Sequence, residues 1–256
     1  MTDNPPQELQ HFVSKWYARE PEMQFAEVFV PASEKAVFHA WGALLHELKH
    51  TLFELSDSHV TSIKTAWWSD EFQRLANAQP RHPITQALKN IEAPWISLAS
   101  SLFSVIETAS TRASNTEQAI DLLMPFANVL SEVEDKVFKA KVATNKKIFA
   151  VHCLLQRLPH GLASEDQARV PMHLMARYSV NALQLPNMGN SGLLQDWALE
   201  LHTRLEHKVA GSLFRSARTR FDQVQLAQLI AGKGFAKPAA PKYLWRAWRA
   251  AVAVPR

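Results

Sequence analysis

Apolar residues recur every three or four positions along most of this chain, the period of a helix with one buried stripe. Val37, Trp41, Leu44, Leu45, Leu48 and Leu52 show it best, and they predict a helix that starts after Ser33 as N-cap and runs to about Glu54. Before it, Phe12, Trp16 and Tyr17 share a face of a helix over 7–19, and Pro21 restarts the chain. After it, the Ser56-Asp57-Ser58 turn caps a helix over 59–77, and helices over 84–91 and 94–109 each open beside a proline. The pattern over 116–158 predicts two helices divided near Ala143-Thr144-Asn145, with a kink or late start at Pro125. A short helix over 169–178, one long helix over 193–231 and a last helix over 243–254 follow. No stretch alternates as a strand does, no repeat recurs, and the prolines mark helix ends, not a linker. The expected fold is all-α, a single-domain helical bundle over 1–256.

Composition narrows the function classes. The 256 residues include 8 Trp but only 7 Gly, where average usage gives about 18 Gly. Glycine loops that cradle phosphate and glycine-flanked nucleophile elbows are absent, which excludes Rossmann dinucleotide enzymes, P-loop NTPases and α/β-hydrolases. Lys+Arg exceed Asp+Glu by only 28 to 24, too small an excess for a nucleic-acid footprint. Cys153, the one cysteine, lies in an apolar run and reads as a buried, inert thiol. No basic-then-apolar leader opens the chain, and no apolar run reaches the roughly 20 residues of a membrane span. A soluble, cytoplasmic protein is expected.

His46-Glu47-Leu48-Lys49-His50 matches H-E-x-x-H on a predicted helix. Histidines at i and i+4 share a face and can both reach Zn²⁺, with Glu47 as general base on a bound water. Glu71 would be the third ligand. The zincin reading stays an alternative, because no strands precede the motif helix.

Three stretches carry a resemblance. They are Ala66-Trp67-Trp68-Ser69-Asp70-Glu71-Phe72 with Pro80-Arg81-His82-Pro83 and Ala87-Leu88; Arg169-Val170-Pro171-Met172-His173-Leu174 through Tyr178; and the tail Leu244-Trp245-Arg246-Ala247-Trp248-Arg249-Ala250-Ala251. In order and spacing the chain resembles the squalene/phytoene synthase family, and the tail is similar to that of a divergent bacterial branch. The resemblance implies an all-α bundle around a deep apolar cavity. It also implies head-to-head joining of two prenyl diphosphates on Mg²⁺ held by two aspartate-rich motifs, since Mg²⁺ wants hard oxygen ligands.

Those motifs are missing. The first should fall at Lys49-His50-Thr51-Leu52-Phe53 and the second at Leu158-Pro159-His160-Gly161-Leu162; neither contains an aspartate, and Glu165 and Asp166 sit in a predicted loop. The chain has 8 Asp, with no two four apart. The expected protein is therefore a synthase-like chain without head-to-head prenyl transferase activity, with no catalytic residue, metal or cofactor assigned. It would act as an isoprenoid- or lipid-binding factor or as a protein-interaction factor, as in a family branch tied to respiratory complex I assembly. The alternative on the same fold is an active transferase with Glu47, Glu54, Asp70 or Glu71 in new roles.

The remaining charged stretches read as solvated faces. These are Glu132, Glu134 and Asp135 followed by Lys136, Lys139, Lys141, Lys146 and Lys147, and the run Arg204, Lys208, Arg215, Arg218, Arg220. An anionic-ligand site is the alternative for the lysines. The tail is expected to dock its tryptophans on the bundle. Peripheral membrane contact through Tyr243, Trp245 and Trp248 is the alternative.

Overall fold

In a computed structural model the chain is described over residues 7–161, 169–187, 192–205, 211–235 and 239–254, and no strand occurs among them. The elements are α1 (Gln7–Arg19), α2 (Met23–Glu27), α3 (Lys35–Lys49), α4 (Ser58–Ala76), α5 (Pro83–Leu88), α6 (Trp95–Glu107), α7 (Thr116–Asp121), α8 (Met124–Val137), α9 (Lys146–Gly161), α10 (Met172–Arg177), α11 (Gly192–His202), α12 (Leu213–Ile230) and α13 (Ala240–Ala253). The all-α expectation holds.

Local chemistry sets most boundaries. Asp57 accepts from the backbone N–H groups of His59 and Val60 at 2.8 and 3.2 Å and starts α4. Asn115 accepts from Gln118 N at 2.9 Å and starts α7. Pro83 opens α5, whose preceding turn hangs on α4 through Glu71: its Oε1 accepts from Arg81 N at 2.8 Å, from His82 N at 2.9 Å and from the Thr85 hydroxyl. Two expectations fail. Ser33 does not cap α3; it lies in a 3-10 turn, Ala32–Glu34, that leads straight into the helix. The long helix over 193–231 is two helices, because Gly211 at φ +108° turns the chain and Ser212 Oγ caps α12 by accepting from Arg215 N at 3.0 Å.

One contiguous core runs from Leu9 to Ala250, with Trp16, Trp41 and Trp197 fully buried. Helix α4 packs on α6, α6 on α8, α8 on α9, and α12 on α9, α11 and α13; α1 packs on α3. At Gly42 of α3 a side chain of α1 lies directly on the backbone. The Trp16 indole covers it so tightly that a Cβ there would fall inside the ring. The indole is pinned by its N–H donating to Glu20 at 2.9 Å and by stacking on Tyr17 at 4.5 Å. Gly42→Val is expected to cost at least about 1–3 kcal/mol through overpacking; thermal melts indistinguishable from the wild type would refute this account of the contact.

Candidate functional site

Two positions where the resemblance places metal motifs lie near each other at one end of α3 and α9. Helix α3 ends in a π-helical turn, His50–Glu54, a feature that often marks functional sites. Its residues are committed elsewhere. Lys49 Nζ donates to Glu20 at 3.1 Å, Glu54 pairs with Arg19 at 2.8 Å, Thr51, Leu52 and Phe53 are buried, and Arg157 of α9 lies 4.8 Å over the Phe53 ring. On α9, Leu158 is buried apolar; the side chains of 159–161 and all of Leu162, Glu165 and Asp166 lie outside the described residues. Leu52, Phe53, Val105, Leu154 and Arg157 leave a cavity of about 40 Å³ there. A drug-sized ligand occupies a pocket of about 300–1,000 Å³. Among the described residues this end presents no group of three carboxylates or histidines that could hold Mg²⁺, and Glu20 and Glu54 are paired to Lys49 and Arg19.

Ions and aromatic rings fill the space between the helices. Trp41 Nε1 of α3 donates to Glu134 of α8 at 2.8 Å, and Arg215 of α12 grips the same carboxylate in two contacts at 2.9 and 2.6 Å. The Arg215 guanidinium lies 3.6 Å over Phe149 of α9. One chain of contacts thus ties four helices together. A second knot holds Arg218 of α12 between Glu20, in direct contact, and Glu22 at 3.0 Å; one turn further along α12, Asp222 meets His152 Nδ1 at 2.9 Å. Burial works to raise the Glu20 carboxyl, but Arg218 and Lys49 overcome it and hold it well below the usual range. Burial pushes His152 down, with Asp222 opposing.

These buried ions correct the solvated-face expectation. Arg215, Arg218 and Glu134 are buried, and Asp135 accepts from the Thr144 backbone N and hydroxyl at 3.0 and 2.6 Å. Sequence reading missed Arg215, Arg218 and Asp222. Their i, i+3, i+7 spacing puts them on one face of a helix but does not say whether that face is buried or solvated.

The zincin residues do not converge, and among the described residues no three His, Cys, Asp or Glu side chains are placed to hold a metal. His46 is buried, with burial and then Lys49 pushing it down to about 4. Glu71 anchors the turn before α5, and Asp70 is exposed and paired with Arg74 at 2.8 Å. Of the four acids proposed for an atypical transferase, Glu54 is held in an ion pair, Asp70 in a surface pair and Glu71 in the turn before α5. Cys153 is buried as expected, and burial raises its thiol to about 11.

A much larger concavity lies by the opposite ends of the same helices. A cleft of about 1210 Å³ is lined by Val37 and Phe38 at the start of α3, Phe138 and Val142 between α8 and α9, and Leu213 and Phe214 at the start of α12. Lys136, Lys139 and Lys141 stand on its wall with Glu34 and Glu92, and Ala251 and Val254 close one side.

The all-helical chain, with α3, α8, α9 and α12 tied through one core, has the fold of the isoprenoid-synthase class. The fold is similar to that of a dehydrosqualene synthase, crystallised in complex with ligand, which aligns at TM-score 0.62 over 96% of this chain and 98% of that one with 11% identity. Squalene synthase HpnC from Alicyclobacillus acidocaldarius aligns at TM-score 0.48 and 11% identity, covering 96% of this chain and 91% of that chain. No protein-family model and no curated protein sequence matches the chain.

Proposed function

We propose that this chain is a binding protein built on the synthase fold, holding an isoprenoid or related lipid without condensing prenyl diphosphates. The observation that carries this reading is the inversion of space. About 40 Å³ is left between the motif positions, against about 1210 Å³ in the apolar cleft by the far ends of α3 and α9. The missing aspartates support it, since among the described residues no group of acids or histidines at the first end could take their place. The lysines on the cleft wall suit a lipid with an anionic head. The dehydrosqualene synthase of like fold was crystallised in complex with ligand; here the ligand would sit in the cleft lined by Val37, Phe138 and Leu213.

Purified protein given farnesyl or geranylgeranyl diphosphate and Mg²⁺ is expected to form no head-to-head product, and clear turnover would overturn the reading. Binding of a fluorescent prenyl analogue is expected to weaken at least about tenfold in Val37→Trp, which fills the cleft, since affinity in an apolar pocket follows the volume left to the ligand. Leu52→Trp, at the motif end, is expected to leave binding unchanged. A protein-interaction role is the second reading, supported by the same filled interior. It predicts that no prenyl analogue binds and that Val37→Trp changes nothing.

A further inference from the structure

Helix α13 departs from the expectation that the tail docks through its tryptophans. Tyr243 is the ring that docks, stacked on Phe25 at 6.0 Å and edge-on to Phe221 at 5.3 Å, while Ala247 and Ala250 are fully buried beneath it. Trp245 is 51% exposed, Trp248 47% and Val252 67%.

At about 100° per residue, three sectors follow around the axis. Tyr243, Ala247 and Ala250 face the bundle. Leu244, Trp248, Val252 and Trp245 form the outward apolar sector. Lys242, Arg246 and Arg249 fill the sector between them, and the helix contains no Asp or Glu. Arg220 of α12 joins the basic sector: after burial, Arg249 and then Arg246 are what push its pKa down. Among the described residues neither Arg220, Arg246 nor Arg249 has a carboxylate partner, and the Nε atoms of Arg220 and Arg246 are buried with no hydrogen-bond acceptor. Trp245 lies beside two guanidinium groups, at 5.2 Å from Arg246 and 5.6 Å from Arg249.

Clustered arginines without acids are repulsive unless an anion is brought to them, and exposed indoles beside them are wet at a cost. A surface that satisfies both at once has a layer of negative oxygens over hydrocarbon. We propose that α13, together with Arg220, is the face by which this protein lies on an anionic bilayer. Trp245, Trp248 and Val252 enter the boundary between headgroups and acyl chains, and the arginines take lipid phosphates. No helix among the described residues is long and apolar enough to cross a membrane, so the contact is one of lying on the surface. The proposal is independent of what the cleft binds.

The full chain is to be sedimented with vesicles of phosphatidylcholine alone and with vesicles containing phosphatidylglycerol. Binding is expected only to the second, and it should fall as salt rises, because exposed charges are screened. Each neutralised arginine is expected to weaken partitioning roughly fivefold, so the double variant Arg246→Gln with Arg249→Gln loses roughly 25-fold. Trp245→Ala with Trp248→Ala abolishes depth-dependent quenching by brominated lipid. Unchanged melting temperatures certify the variants as folded. Equal binding to both vesicle types, no binding to either, or full binding by the arginine variant would each overturn the proposal and leave the face to a protein partner.

Discussion

Replacing Glu134 with alanine is expected to cost about 3–5 kcal/mol of stability. The carboxylate is buried and accepts from Trp41 Nε1 at 2.8 Å and from Arg215 at 2.9 and 2.6 Å. Among the described residues no other carboxylate pairs with Arg215. Its remaining terminal nitrogen already has no acceptor, and its plane lies against Phe149. Alanine would therefore leave a full charge and an indole N–H unpaired in a dry interior. That loss is a large part of the total for a typical domain, about 5–15 kcal/mol, and corresponds to a drop in melting temperature of roughly 6–20 °C. Glu134→Gln keeps the indole bond and loses the charge, so an intermediate loss is expected. The double replacement Glu134→Leu with Arg215→Met removes both charges and is expected to recover most of the stability. A Glu134→Ala protein that melts with the wild type, or a double variant no better than the single, would mean that the ion pair does not tie α8 to α12.

The same pair shows where reading the chain succeeds and where it stops. Helix ends written in local chemistry are legible: Asp57 before α4, Pro83 in α5 and the apolar period of α3 all speak within a few residues. The break before α12 is not, because Leu201, Leu205 and Leu213 continue a helical period across Gly211 and mask the turn. The absence of metal acids is legible as plain identity at Lys49 to Phe53. The ionic core is not, because an arginine at i, i+3 looks the same on a solvated face as against a carboxylate. Its partners lie far off in sequence, Arg215 being 81 residues from Glu134 and Arg218 198 from Glu20. For α13 the chemistry was legible and the orientation was not, since alanine and tryptophan on opposite sectors fit a helix docked either way round.

Filling an enzyme-like interior with buried ions also sets how the protein responds to acid, and the expected effect is large. His46, His82 and His152 all have folded pKa values below the unfolded one, each through burial first; His46 falls to about 4. A depressed group stabilises the fold above its unfolded pKa, about 6.5 for histidine, and the contribution is lost as pH falls toward the folded value. In that window the unfolded chain binds more protons than the folded one. Each histidine then adds up to about 1.4 kcal/mol of slope per pH unit. Below about 4.5 the depressed carboxyls Glu20, Glu27 and Glu200 begin to contribute with the same sign, while Glu22, raised by burial against the pull of Arg218, acts above that pH and opposes the histidines there. Stability measured by denaturant titration is therefore expected to be flat near pH 8, to fall from about pH 6.5 with a slope exceeding one proton, and to collapse below about pH 4. His46→Gln is expected to lower the slope between pH 6.5 and 4 by up to one proton, whatever it does to stability at pH 8. A profile flat down to pH 5 would show that the histidines are not held neutral by burial. A slope unchanged in the His46 variant would remove that side chain from the account.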